Sequence, residues 1–294
     1  MTEPPPHTER IFPHSYFLKQ SHQQEINQKG FTVIRSGVPA TLLDQLWKAY
    51  QELQLLPGFS VGESFQNSGR FRSPEVRSFV MNAICKVSEH LLPVHFNQEV
   101  YDPNTTGAFQ IKPPSKKSSL NPHQDSPVID ELHHNAVYVW IPMQDITHEN
   151  GPVYVLPGSH LWGNHQRSLN VPWPFAGQLK NLWRYMEPVV LQKGDMLCWD
   201  TALIHASSNN ASAKLRLAIT TTLLPKNFTM VDYYRDKQTP SGMIEKYEVE
   251  RSFWESGDIE KRPPVPPNRF IGFEPSVYPG PVSGRMLHRL AASR

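Results

Sequence analysis

The sequence predicts a single α+β-like domain in which N-terminal helices buttress a β sandwich or barrel. The chain has 294 residues, which is enough to bury a large core. It contains 28 prolines, and because each proline removes a hydrogen-bond donor and ends a helix, this number disfavours a helical bundle. Strand-like segments separated by Pro, Gly and Asn follow the helices, and many short strands with turn signals are typical of a sandwich or barrel.

Three helices and one strand are predicted in the N-terminal part. A short helix over Phe17–Lys29 is followed by the β-branched strand Phe31–Arg35. A second helix, Thr41–Leu53, begins at a cap-like threonine and carries apolar residues at helical spacing. The third helix begins at Ser73, with Pro74 at its first helical position. The apolar stripes of the second and third helices are interpreted as core packing.

Strand-like segments recur after Leu92. Apolar and β-branched residues predominate in them, and loop residues lie between them. The predicted strands are 108–112, 136–141, 153–156, 188–191, 196–199, 203–207 and 215–224.

The chain divides into three parts by composition. Residues 1–15 are rich in Pro and polar residues, which predicts a flexible N-terminus. Residues 16–231 are predicted to form the single domain with its N-terminal helices. Residues 232–294 form a Pro-rich, charged C-terminal extension. Because the extension contains aromatic residues such as Phe253 and Trp254, we expect it to be partly docked on the domain as a lid or a dimer arm.

Charge and hydropathy exclude several classes of protein. The net charge of +2 gives no electrostatic footprint for nucleic acid. No apolar run reaches the length of about 18 residues that a membrane span needs, and MTEPPPHTER lacks the apolar core of a secretory signal. Cys85 and Cys198 are too few for a disulfide scaffold. We therefore expect a soluble cytoplasmic protein, as a monomer or homodimer.

Three residues have the types and spacing of metal ligands. His123 and Asp125 are two residues apart, so in an extended chain both side chains point the same way. His205 lies far enough along the chain to come from a different strand of the same barrel. Two histidines and one carboxylate that leave open positions form the facial triad of non-haem Fe(II) oxygenases. The same ligands can hold zinc, so a non-oxidative metal enzyme or a binding protein remains an alternative.

The predicted strand 215–224 differs in character between its two faces. Arg216 shares one face with small and hydroxyl residues, while Leu217 and Ile219 share the other. This alternation suits a barrel wall around a polar pocket. A buried arginine needs an anionic partner, and a dicarboxylate cosubstrate would supply one. The segment 208–212 is predicted to be a turn that joins this strand to a neighbouring strand carrying His205.

The sequence resembles the phytanoyl-CoA dioxygenase family of Fe(II)/2-oxoglutarate oxygenases in several segments. The start of the domain, GFTVIRSGVPATLLDQLW at 30–47, is similar to the start of the family, and the resemblance covers roughly residues 28–225. In the segment 194–219, Arg216 lies eleven residues after His205, and the family has an arginine at the same spacing. The remaining segments are NPHQDSP at 121–127, VYVWIPMQD at 137–145, ENGPVYVLPGSH at 149–160 and GDMLCWDTALIHASSNNASAKLRLAI at 194–219.

The resemblance implies a mainly β fold with flanking helices and a double-stranded β-helix (jelly-roll, cupin-like) core. It implies that Fe(II) is held by His123, Asp125 and His205, which are then the catalytic residues, and that 2-oxoglutarate and O₂ are cosubstrates. It places Arg216 and Ser207 on the far carboxylate of 2-oxoglutarate. Further residues of the cosubstrate pocket implied by the resemblance are Gln110, Trp140, Asn121 and Thr201.

The residue at position 125 separates two reaction types within the resemblance. Related halogenases replace the carboxylate with Gly or Ala, which opens a site for halide, whereas this chain has Asp125. The expected reaction is therefore hydroxylation of an unactivated C–H bond of a small molecule, such as one of secondary metabolism, with decarboxylation of 2-oxoglutarate to succinate and CO₂. Desaturation and ring formation use the same triad and remain alternatives.

Overall fold

Helices precede most of the strands, as the sequence predicts. The structure is a computed structural model that describes residues 12–102, 107–162, 165–255 and 259–292. Residues 1–11 of the predicted flexible N-terminus lie outside the described residues. The helices within the described ranges are α1 (Gln20–Lys29), α2 (Ala40–Leu53), α3 (Pro74–His95), α4 (Leu179–Leu182), α5 (Arg251–Glu255) and α6 (Gly284–Ala292).

The strands are short and separated by loops. Predicted strands have counterparts that agree with the structure to within a few residues. The strands are β1 (Phe31–Ile34), β2 (Gln66–Asn67), β3 (Gly107–Lys112), β4 (Leu120–His123), β5 (Val137–Pro142), β6 (Val153–Val155), β7 (Glu187–Val189), β8 (Met196–Asp200), β9 (His205–Ser207), β10 (Arg216–Leu223), β11 (Val231–Tyr234), β12 (Met243–Glu248) and β13 (Arg269–Pro275).

Helices α2 and α3 begin in different ways. Ser73 caps α3, because its hydroxyl accepts a hydrogen bond from the Val76 N–H at 3.3 Å, and Pro74 follows at the first helical position. The predicted cap at Thr41 is wrong, because α2 begins one residue earlier, after Pro39, and has no side-chain cap. The fixed backbone angle of Pro39 starts the helix without a hydroxyl.

Two antiparallel sheets form the β core. The larger sheet has the strand order β1-β8-β5-β10-β3-β2, and the smaller sheet has the order β4-β9-β6-β7. Side chains from both sheets meet in one buried cluster, which includes Trp140 and Trp199 from the larger sheet and Val153 and Val155 from the smaller one. This arrangement confirms the predicted mainly β fold with flanking helices and a jelly-roll core.

The two faces of β10 contact different parts of the molecule. Leu217 and Ile219 pack in the cluster that includes Leu46 of α2, between the larger sheet and the helices. Ala218 belongs instead to the cluster between the sheets. The predicted alternation is therefore confirmed, and it places Arg216 on the inner face, where only 1% of its surface is exposed.

The connection between β9 and β10 differs from the prediction. The two strands are not neighbours: β9 pairs with β4 and β6, whereas β10 pairs with β3 and β5. The segment after Ser207 carries the chain from one sheet to the other. Asn210 stabilises this connection between the sheets, because its side-chain amide donates to the carbonyls of Lys112 and Lys214 at 3.0 and 2.7 Å. His205 and Arg216 consequently reach the interior from opposite sheets.

The chain after β10 forms a third sheet and the helices α5 and α6. Strands β11, β12 and β13 make a separate three-stranded antiparallel sheet, and β11 spans the predicted boundary between 231 and 232. Leu287 and Leu290 of α6 pack in a buried cluster with Leu156 and Ile204 of the domain. No helix among the described residues has both the length and the apolar character needed to cross a bilayer.

Candidate metal and cosubstrate site

His123, Asp125 and His205 lie together at one end of the smaller sheet. His123 and His205 are register partners of β4 and β9, and their ring centroids are 4.3 Å apart. The Asp125 carboxylate oxygens lie 3.9 Å from His123 Nε2 and 3.7 Å from His205 Nε2. Ligand atoms about 2.1 Å from one ion are at most about 4 Å apart, so these distances suit a shared metal ion.

Backbone carbonyls fix the orientation of both imidazoles. His123 Nδ1 lies 2.8 Å from the Asn121 carbonyl, and His205 Nδ1 lies 3.0 Å from the Leu203 carbonyl. A carbonyl oxygen only accepts, so each Nδ1 carries the proton and each Nε2 presents a lone pair beside Asp125. Burial and the neighbouring His205 lower the pKa of His123 to about 4. Its imidazole is therefore neutral at neutral pH, which is the form that binds a metal.

Trp199 supports the triad from β8. Its indole N–H donates to Asp125 Oδ2 at 3.3 Å, and its ring lies 4.9 Å from the ring of His205. Tyr138 stacks on the Trp199 ring, with the two ring centroids 5.0 Å apart. Partners of this kind orient metal ligands. Trp199 was not predicted from the sequence as a site residue. Strand alternation could have indicated it, because Trp199 shares the inner face of its strand with Leu197.

Substituting Trp199 with phenylalanine is expected to weaken metal binding by at least about tenfold, because the Asp125 carboxylate loses its orienting N–H. Calorimetric titration with Co(II), which is stable in air, measures this effect. Trp47→Phe is the matched control, because it removes an indole hydrogen bond to the Met143 carbonyl far from the triad. Equal metal affinities for both variants would contradict the assigned role of Trp199.

Arg216 carries a buried charge without a counter-ion. No described carboxylate lies within ion-pairing distance of it, and its Nε and Nη1 have no hydrogen-bond partner. Its guanidinium lies 5.2 Å from the ring of Trp140. Burial lowers the pKa of Arg216 to about 9, so it is still a cation at neutral pH. A buried cation with unused donors is costly to the fold, and an anion placed there offsets the cost.

Lys112 lies opposite Arg216 on the neighbouring strand and contacts Ser207. The ammonium group of Lys112 donates to the Ser207 hydroxyl at 2.7 Å, and 0% of the Lys112 surface is exposed. Ser207 was predicted from the sequence, whereas Lys112 was not. The signal was available, since Lys112 alternates with the predicted pocket residue Gln110 on the same strand.

The other predicted cosubstrate residues occupy three different settings. Gln110 and Trp140 lie together, because the Trp140 indole N–H donates to Gln110 Oε1 at 3.2 Å. The Thr201 hydroxyl donates to the buried carboxylate of Glu131. The side chain of Asn121 is exposed, and its backbone carbonyl is the group that contacts His123. Their part in cosubstrate binding remains a prediction.

Gly151 allows the Lys112 side chain to reach this position. Its backbone is left-handed, with φ of 80°. A Cβ atom on it would lie 2.6 Å from Lys112 Cδ and 2.9 Å from the Ser208 carbonyl oxygen. Only glycine meets both conditions without strain.

Gly151→Ala is therefore expected to lower the free energy of unfolding by about 2–5 kcal/mol, the sum of a left-handed backbone penalty and overpacking. Chemical denaturation measures this change. Gly242→Ala is the matched control, because Gly242 has φ of 76° but nothing within 4 Å of the added atom. A Gly151→Ala loss no larger than that of Gly242→Ala would show that the close approach to Lys112 carries no cost.

A cavity of about 230 Å³ opens at the Asp125 side of the triad. Its wall is mainly apolar, with polar groups from the larger sheet. Some of the residues that line the cavity belong to the C-terminal extension, residues 232–294. The lining includes Arg70, Met81, Asp125, Val128, Ile129, Tyr138, Thr220, Thr222, Met230, Arg251 and Trp254.

A jelly-roll core, a facial His-Asp-His triad and an unpaired buried arginine together define an oxygenase that uses Fe(II) and 2-oxoglutarate. The family model for phytanoyl-CoA dioxygenase (PhyH) matches residues 26–218, which is more than half of the chain. The chain belongs to this family.

Curated relatives carry dioxygenase names. Dioxygenase olcK of Penicillium canescens is 23% identical over 248 residues, which cover 76% of this chain and 75% of the relative. Phytanoyl-CoA dioxygenase domain-containing protein 1 of Mus musculus is 28% identical over 127 residues, which cover 40% of this chain and 43% of the relative. The match therefore spans less than half of the mouse protein.

The fold is similar to that of a solved epimerase. The structure of SnoN in complex with Fe3+, alpha ketoglutarate and nogalamycin RO matches with a TM-score of 0.51 and 16% identity. The match covers 91% of this chain and 96% of SnoN. At this identity the likeness concerns the fold alone.

Proposed function

We propose that the protein hydroxylates an unactivated C–H bond of a small molecule, with decarboxylation of 2-oxoglutarate to succinate and CO₂. The observation that carries this proposal is the pairing of a complete triad with Arg216. The triad provides three protein ligands, and Arg216 provides unused hydrogen-bond donors. A zinc hydrolase or a binding protein has no need for a buried cation of this kind.

In this proposal His123, Asp125 and His205 hold Fe(II), while Arg216 and Ser207 bind the far carboxylate of 2-oxoglutarate. When bound, the iron and 2-oxoglutarate would supply the electrons that activate O₂, which is the oxidant of the C–H bond. The two imidazoles stay neutral and in a fixed tautomer, and Trp199 keeps the Asp125 carboxylate turned toward them. These contacts preorganise the ligands before the metal binds.

The cavity supports a small and largely apolar substrate. It borders Asp125, so a substrate bound there presents a C–H bond next to the metal site. Apolar walls exclude water from that space. Because Asp125 occupies the third ligand position, we propose hydroxylation as the reaction rather than halogenation.

Turnover under isotopically labelled O₂ tests the reaction type. Compounds that stimulate succinate formation are identified first, and their products are then analysed by mass spectrometry. Hydroxylation places one labelled oxygen atom in succinate and one in the product. Label in succinate together with a product that has only lost two hydrogen atoms would contradict hydroxylation and establish desaturation or ring formation.

A further inference from the structure

We propose that Lys112 is a positioning residue for the cosubstrate. Its ammonium group holds the Ser207 hydroxyl as a hydrogen-bond donor toward the far carboxylate of 2-oxoglutarate, and it adds a second positive charge beside Arg216. The inference rests on the proposed binding role of Arg216 and Ser207.

Lys112 and Arg216 form a buried pair of basic side chains. Burial and the neighbouring Arg216 lower the pKa of Lys112 to about 6, so an anion beside the pair is needed for both side chains to be charged at neutral pH. The two residues are register partners of β3 and β10, so their side chains leave the sheet on the same face. Their exposed fractions are 0% and 1%. No carboxylate of the described residues forms an ion pair with either side chain. Like charges directly opposite each other destabilise a sheet, so this pair needs an anion between or beside the two side chains.

The hydrogen bonds of Lys112 determine how it acts. An ammonium group has three N–H donors. Lys112 Nζ donates to the Ser118 carbonyl at 2.8 Å, to the Ser208 carbonyl at 2.5 Å and to the Ser207 hydroxyl at 2.7 Å. All three donors are therefore used by the protein. Lys112 does not itself bind the carboxylate, but acts on it through Ser207 and through its charge.

The Ser207 hydroxyl is left with one available proton. Its oxygen accepts from Lys112, and its own O–H has no acceptor among the described residues. Ser207 also lies two residues after His205 on the same strand, so both side chains face the interior. A hydroxyl that already accepts from a cation is oriented to donate, and the acceptor that fits beside two cations is a carboxylate.

The test measures 2-oxoglutarate binding without turnover. Co(II) replaces iron, and calorimetry gives the affinities for Co(II) and then for 2-oxoglutarate. Lys112→Met keeps the length of the side chain but removes the charge, and we expect it to weaken 2-oxoglutarate binding by about 10- to 100-fold while leaving Co(II) affinity unchanged. Lys116→Met, four residues further on and exposed, is the matched control.

The double variant separates positioning from general stability. If Lys112 acts through Ser207, the losses caused by Lys112→Met and Ser207→Ala do not add in the double variant. Additive losses would overturn the positioning role. Should Lys112→Met fail to fold, Lys112→Gln carries the test, since it retains N–H donors without the charge. We expect it to bind 2-oxoglutarate at least about fivefold more weakly, and an affinity equal to that of the unsubstituted protein would overturn the proposal.

Two failures are distinguishable. If the unsubstituted protein does not bind 2-oxoglutarate, both the proposed function and this inference are wrong. If the unsubstituted protein binds it and Lys112→Met binds it equally well, the inference about Lys112 alone is wrong.

Discussion

Asp125→Ala is expected to lose Fe(II) binding and turnover together. The substitution removes the only anionic ligand of the triad and leaves two neutral imidazoles. Because removing a group that merely orients a metal ligand already costs about 10- to 100-fold in affinity, we expect the loss of the ligand itself to exceed 100-fold or so. Anaerobic metal titration and succinate release in the absence of substrate measure the two effects.

The buffer and the control decide how clearly this result can be interpreted. The titration is performed without chloride, because a small side chain at position 125 leaves room for a halide beside the metal. Asp44→Ala removes an exposed carboxylate from α2 and serves as the control. An Asp125→Ala protein that still released succinate at the rate of the unsubstituted protein would exclude Asp125 as a ligand.

Arg216→Met is expected to weaken 2-oxoglutarate binding by about 100-fold or more, because a charge-assisted contact to a carboxylate is lost in a buried site. Metal affinity should not change, since Arg216 is not part of the triad. Calorimetry on the Co(II)-loaded protein separates the two affinities. Arg184→Met, at an exposed position, is the control.

The same variant has an unusual expected effect on stability. In the ligand-free protein Arg216 is buried with two unpaired nitrogens, so its replacement by an apolar side chain should not destabilise the fold. Added 2-oxoglutarate should then raise the melting temperature of the unsubstituted protein but not that of Arg216→Met. A variant that is strongly destabilised without ligand would indicate that Arg216 has a structural partner instead.

Local sequence patterns predicted most of the site. The two-residue spacing of His123 and Asp125 and the alternation around Arg216 depend only on strand geometry, so they could be inferred without the fold. The separation of His123 and His205 along the chain indicated that His205 lies on a second strand. It did not indicate which strand pairs with that one. The register of β4 and β9 shows that this strand lies directly beside His123.

Contacts between distant segments were harder to predict. Lysine is rarely buried, so Lys112 was not selected, and its partners Ser207 and Ser208 lie about a hundred positions further along the chain. The crossing at Asn210 was interpreted as a turn between neighbours, because turn residues do not reveal which sheet the next strand joins. The three-stranded sheet after β10 was also not predicted, because the proline-rich composition of this part of the chain indicated an extension rather than strands.

An anaerobic titration of Fe(II) and 2-oxoglutarate into the metal-free protein, followed in the visible spectrum, tests the cosubstrate assignment most directly. We expect the weak metal-to-ligand charge-transfer band of the chelate in the unsubstituted protein and its absence in His205→Ala. Folded, iron-loaded protein without the band would contradict the cosubstrate assignment. Arg216 would then need a different anion, and a non-oxidative metal enzyme would become the better description.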